Sequence, residues 1–220
     1  MNVALIWDHL SLVLSALILA VGVGVPLGLL AYLFPRFGKA ILWVVDLIQT
    51  VPALALLGII MVVMDPGSPT AVIGLTLYSL LPIVRNTSLG LSQVPEHLKE
   101  AATGMGMSGT YRLLHVEVPL AVPMLVTGIR IAAVNAIGTA VFASFVGGGG
   151  LGGLFYTAIR QENMGMIFVG TLVLMVMAFV LDAGLSYMEH RLSSHSRKKL
   201  PTPVKAVGST VLAVAGVALV

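Results

Sequence analysis

The 220 residues are 58% hydrophobic and 10% charged, with mean hydropathy +1.03 and a formal net charge of +3. Soluble domains carry about 25% charged residues, so the composition excludes a water-soluble globular domain and points to a bilayer as solvent. At about 20 residues per helical span, the chain holds five or six crossings and no separate soluble domain. Cysteine is absent, which excludes a disulfide framework and a thiolate metal site.

In chain order, the first apolar run covers residues 10–34 and follows Trp7-Asp8-His9 with no basic residue ahead of it. It is expected to remain as a span rather than to be a cleaved signal peptide. Gly22, Gly24 and Gly28 within it are expected at close helix contacts rather than at a gate. A second span is predicted over 41–64, ending at the turn-forming cluster Asp65-Pro66-Gly67-Ser68-Pro69. A third is predicted over 70–83, with Arg85 and Asn86 near its far end, and a fourth over 120–146. Gly147 to Gly150 then reads as a flexible turn ahead of a short re-entrant piece at 154–159. A fifth span covers 166–187. Residues 204–220 are a weaker sixth candidate, at the lower limit of length, and stand open as either a span or a loosely attached tail.

Few polar residues fall within these runs. Pro26, Pro52 and Pro82 each remove a helix hydrogen bond that a neighbouring helix can restore; as rocking points or static kinks they fit equally. Asp46 and Asp182 lie near span ends, where they can snorkel or pair with a basic residue, and Arg130 lies near a span. Asn135 alone is expected deep, in an interhelical hydrogen bond or lining a pathway. Trp7 and Trp43 suit interfacial anchoring. His97, His115, His190 and His195 lack metal-ligand spacing, and no catalytic triad or convergent cluster of acids and histidines stands at bilayer depth. A membrane-embedded enzyme is therefore not expected. Gly38-Lys39 fails as a phosphate-binding loop, with Leu33 in place of the first glycine and Ala40 in place of Ser/Thr. No cofactor or metal is expected in this chain.

Charge sets an orientation. Alternate loops hold Arg36 and Lys39; Arg85, Lys99 and Arg112; and Arg191, Arg197, Lys198, Lys199 and Lys205, whereas the opposite loops hold only Arg160. Ten against one places the N-terminus outside and the loop at 94–119 in the cytoplasm.

That loop carries the most specific pattern. Pro95 and Glu96 suit a helix start, Glu100-Ala101-Ala102 follows, and Gly104 and Gly106 are expected to end the helix. Ser108 suits the N-cap of a second short helix over 109–116, and Pro119 the start of the next span. Two short helices about a glycine hinge make a knob for a partner protein. Ala101 and Ala102 would admit a close backbone, and Glu100 would offer it a charge-assisted hydrogen bond. The bland alternative is an amphipathic hairpin that shields the underside of the bundle.

Glu100-Ala101-Ala102, then Gly106, then Val116-Glu117-Val118-Pro119 resembles the EAA loop of ABC importer permeases, with Val116 and Val118 where that family usually has Ile and Leu. The segments 49–58, 80–87, 100–107, 128–130 and 147–153 are similar to permeases for glycine betaine, carnitine and choline, over about residues 9–190. The resemblance implies an all-α polytopic bundle of five to six helices with the type I ABC importer permease fold, occupying 9–190, followed by a basic cytoplasmic tail at 191–220. It implies a bacterial plasma-membrane permease subunit that imports a quaternary-amine osmoprotectant. Glu100, Ala101, Ala102, Gly104, Gly106, Val116, Val118 and Pro119 would couple it to a separate ATPase holding ATP and Mg, and Pro52, Pro82 and Asn135 would serve the pathway. A second permease copy and an external binding protein, or a fused binding domain beyond 204–220, are the implied partners; nucleic acid is not. Importers of ergothioneine and similar zwitterions share these segments, so that substrate stays open. A channel or secondary transporter would need deep ionisable residues or an inverted repeat, and neither is evident.

Overall fold

The computed structural model describes residues 3–193; the sixth candidate span and the basic residues from Arg197 to Lys205 lie outside them. Every regular element among the described residues is helical. Helix α1 (Val3–Leu33) packs along α4 (Ser68–Ser92), α4 against α7 (Val118–Thr139), and α7 against α9 (Met164–Ser193). Four helical segments are long and apolar enough to cross a bilayer, and a bent pair, α2 (Pro35–Thr50) with α3 (Ala53–Met64), makes up to five.

Between helices in lipid, close packing replaces the hydrophobic drive available in water. The core accordingly uses small residues at crossings: Ala16 on α1, Ala71 on α4, Ala136 and Ala140 at the end of α7 meet Leu12, Leu75 and Ile137. Gly24 and Gly28 sit where a Cβ would stand 2.9 Å from Ile83 and 2.5 Å from Thr87, so α1 and α4 touch nearly backbone to backbone. Gly22, expected in the same role, faces open space.

The second span is not the continuous helix expected over 41–64. It breaks at Val51-Pro52 and turns by 100° between α2 and α3. The cause is local: a residue before proline is pushed out of the helical region, and Val51 is extended at φ −73°, ψ 129°. The third span runs on to Ser92 rather than stopping near residue 83. Pro82 lies inside it without ending it, because the carbonyl of Tyr78 that Pro82 cannot satisfy accepts the Gln49 side-chain N–H at 2.7 Å. In turn the Tyr78 hydroxyl donates to the carbonyl of Val51 at the break. The carbonyl that Pro82 leaves is thus covered from α2, and the one freed where the chain breaks at Val51 is covered from α4. Arg85 is accommodated by an ion pair with Asp46 at 2.6 Å.

The glycine run forms the turn expected, with two of its glycines set against neighbouring helices. A short 3₁₀ segment (Ala140–Val146) leads into it, Gly147, Gly149 and Gly150 take left-handed φ of 76°, 79° and 78°, and α8 (Gly152–Arg160) follows as the short helix expected near 154–159. A Cβ at Gly148 would lie 2.5 Å from that of Ala71, and one at Gly150 3.0 Å from His9 Nδ1. Gly148 and Gly150 are buried against the bundle, whereas Gly147 and Gly149 are exposed. His9, buried inside α1 rather than ahead of the first span, holds the turn: the Leu151 N–H donates to Nδ1 at 3.3 Å, so Nε2 carries the proton and donates to the Ile137 carbonyl at 3.0 Å.

Candidate functional site

At the end of the bundle that carries Arg36, Lys39 and Arg112, the chain leaves α4 and forms α5 (Glu96–Gly104), then α6 (Gly109–Arg112), a π-helical turn (Leu113–Glu117) and α7. Helix α5 ends in a Schellman closure. Gly106 takes φ +81°, its N–H donates to the Thr103 carbonyl at 2.9 Å, and the Met107 N–H donates to the Ala102 carbonyl at 3.1 Å. Gly104 is the last helical residue and Gly106 the left-handed one. Glu100, Ala101, Gly104 and Gly106 are all exposed.

Ala102 is not: it is 1% exposed and packs into its own chain, so of the two alanines only Ala101 faces outward. Nor does a separate helix end before Pro119. Residues 109–146 form one unbroken helical run into the membrane. Val118 N–H bonds back to Leu113 across the π turn, and Pro119, which has no N–H to give, stands at the start of α7. Val116 and Val118 are half-buried and Pro119 is exposed.

The π turn changes which side chains meet. Residues five apart on an α-helix point about 140° away from each other, and a wider turn brings them to one side. Arg112 Nε therefore reaches Glu117 Oε1 at 2.8 Å, while its Nη1 donates to the Thr103 hydroxyl on α5 at 2.9 Å. Glu117 is 1% exposed, and its other oxygen accepts the Tyr32 hydroxyl from the end of α1 at 2.5 Å. Lys99 of α5 pairs with Glu96 at 3.3 Å and lies 5.7 Å from the Tyr32 ring centre. The exposed knob is thus tied to α1 and α7 through Tyr32, Lys99, Arg112 and Glu117. None of these four was singled out as a site residue from sequence, because the α period separates Arg112 from Glu117 and nothing local marks Tyr32.

A second cluster lies at the proline clasp. Gln49, Tyr78, Ser79, Asn135, Gly138 and Thr139 line an open groove of about 360 Å³ between α2, α4 and α7. Asn135 is exposed in this groove, and its amide makes no hydrogen bond among the described residues, so the interhelical bond expected as one alternative is not made there. Of the other pathway candidates, Pro52 caps α3 and Pro82 is buried within α4 next to this clasp. Arg130, by contrast, is structural: it grips Asp182 with two bonds of 2.9 Å and Glu189 with one of 2.8 Å, joining α7 to α9. Among the described residues no group of acids and histidines could hold a metal ion.

A bundle of broken and unbroken spans with a short exposed hairpin at one end defines a multi-pass membrane permease. The chain belongs to the family of binding-protein-dependent transport system inner membrane components, whose model matches residues 20–194. It is a transport component, not an enzyme. It is 37% identical to the carnitine transport permease protein OpuCB of Listeria monocytogenes, over 85% of this chain and 86% of that one. It is 35% identical to the choline transport system permease protein OpuBB of Bacillus subtilis, over 88% and 89%. To the osmoprotectant import permease protein OsmW of Salmonella typhimurium it is 39% identical, over 86% and 88%. In fold it is similar to the inward-facing MetNI methionine ABC transporter, with a TM-score of 0.77 at 21% identity over 84% of this chain and 93% of that one.

Proposed function

We propose that this chain is the membrane permease of an ATP-driven importer for quaternary-amine osmoprotectants such as glycine betaine, carnitine or choline. Two copies pair around a central path, the loop at 94–119 lies in the cytoplasm, and the N-terminus lies outside. A separate ATPase, holding ATP and Mg, docks on the exposed face of α5 through Glu100, Ala101 and the Gly104–Gly106 turn. An external binding protein, or a binding domain fused beyond the described residues, delivers the cargo. The charge asymmetry of the loops supports the orientation, and the names of the relatives at 35–39% identity support the substrate class.

The observation that carries the coupling role is the tie between knob and span. A hairpin that merely shielded the bundle would have no need of a buried carboxylate joining it to α1. Movement of α5 by an ATPase instead passes through Thr103–Arg112–Glu117–Tyr32 into α1 and through the continuous helix into α7. Pro52, Pro82 and Asn135 serve the path, Pro52 by turning α3 away from α2.

Co-purification with the ATPase and uptake by reconstituted vesicles test this. Glu100→Arg and Gly106→Pro are expected to weaken both, against a wild type assayed with betaine, choline, carnitine, proline betaine and ergothioneine. Unchanged capture and unchanged uptake in both variants would remove the loop from the mechanism. Uptake of ergothioneine alone would replace the substrate.

A further inference from the structure

The groove at the proline clasp has a chemistry of its own. At 1.5 Å per residue, Asn135 stands about 26 Å along α7 from Val118, and Tyr78 about 15 Å along α4 from Ser68, which sets both within a hydrocarbon layer about 30 Å thick. An exposed amide without a partner is costly against lipid tails and is found where a helix face borders water or a pathway. The hydrogen bonds already made decide what the groove has left. One Gln49 N–H is given to the Tyr78 main-chain carbonyl, the Tyr78 O–H to that of Val51 and the Thr139 O–H to that of Asn135. What remains is acceptor oxygen on Gln49, Tyr78, Ser79, Thr139 and Asn135, the Tyr78 ring, and a few neutral donors: the two N–H of Asn135, the second N–H of Gln49 and the Ser79 hydroxyl. No lining residue carries a formal charge.

From this we infer that the Gln49–Tyr78–Asn135–Thr139 groove is a transit subsite for a quaternary ammonium headgroup, with the Asn135 amide donating to a carboxylate where the cargo has one. The inference rests on the permease function proposed above. A quaternary nitrogen has no proton to donate, so the negative ends of these oxygen dipoles and the aromatic face attract it by charge alone. The volume is in the range that holds one small ligand. A neutral lining attracts the cargo weakly enough to release it, as a translocation path requires.

The test uses the whole importer in proteoliposomes, with loaded binding protein saturating, so that uptake reports passage rather than capture. Choline, a cation, and glycine betaine, a zwitterion, are compared in the same preparation. Asn135→Asp is expected to raise the choline-to-betaine uptake ratio about threefold or more, Asn135→Lys to lower it, and Asn135→Gln to keep it near wild type. An unchanged ratio in both charged variants overturns the subsite. So does an equal loss of both substrates with failed pairing of two copies, which would make Asn135 an interface residue. Should the charged variants fail to assemble, Asn135→Cys gives an independent measure, since the chain has no other cysteine. A cationic thiol reagent should modify it from water and excess cargo should slow the reaction; no modification, or no protection, refutes the proposal. Failure of the permease function itself would show differently, as a wild type that imports neither amine and captures no ATPase.

Discussion

Replacing Glu117 by Gln isolates the tie between the exposed knob and the membrane helices. The shape is kept and the charge removed. The Glu117 side chain is 2% exposed, and its two oxygens accept from Arg112 and from Tyr32. Hydrogen bonds to a charged group contribute about 1.5–3 kcal/mol each. Gln keeps one acceptor oxygen and turns an N–H toward the other donor, while Arg112, 31% exposed, recovers part of its loss from water. The net cost is about 2–3 kcal/mol, a fall in detergent melting temperature of about 5–10 °C for a chain of this size. Removing only the Tyr32 partner with Tyr32→Phe should cost about half as much, and the double variant should cost less than the sum, since the two share one bond. In proteoliposomes, the ATPase should still be captured by Glu117→Gln through the unchanged outer face of α5, and should still hydrolyse ATP. Uptake per ATP should fall severalfold. A variant that melts early yet transports with unaltered stoichiometry would refute the reasoning, leaving Glu117 a matter of stability alone.

Gly106→Ala forces a side chain into a left-handed conformation at φ +81° with open space around it, so the cost to the fold is strain of about 1 kcal/mol; the methyl added to the docking face should weaken ATPase capture severalfold with little change in melting temperature. His9→Leu leaves the Leu151 N–H and the Ile137 carbonyl without their buried partner, at about 1–3 kcal/mol per group, and limited proteolysis should then cut the Gly147–Gly150 turn faster. Arg130→Met leaves Asp182 and Glu189 facing each other unpaired, and should lower the melting temperature more than Arg130→Met combined with Asp182→Asn and Glu189→Gln.

Much of the fold was readable in the residues themselves. Length and composition call for five or six spans because a bilayer accepts only helices of about 20 apolar residues, and the described residues hold four such segments and a bent pair. The Gly106 helix stop was readable too, since it is set by backbone sterics within a few residues, as was the pairing open to Asp46 and Asp182. Where sequence reading fell short, the deciding interaction came from another helix. Pro82 looked like a place for a helix to bend or end, and Gln49, 33 positions earlier in the chain, lets it continue by covering the Tyr78 carbonyl. Nothing near the glycine run marks its partners, and Ala71 and His9 meet it at Gly148 and Gly150.

Local sequence thus determined the solvent, the approximate place of the spans, the charge asymmetry and the glycine turn of the exposed knob, because each follows from hydropathy, from the residues' own charges or from steric limits on neighbouring backbone angles. Tertiary structure decided which side chains cover the carbonyls left at Pro82 and at the Val51 break, which of Ala101 and Ala102 faces outward, and that Asn135 opens onto a groove rather than bonding a neighbour. It also decided that Glu117 is buried between Tyr32 and Arg112. These depend on the rotation of one helix about its axis relative to the next. A single π turn shifts that rotation, and no period read along one segment contains it.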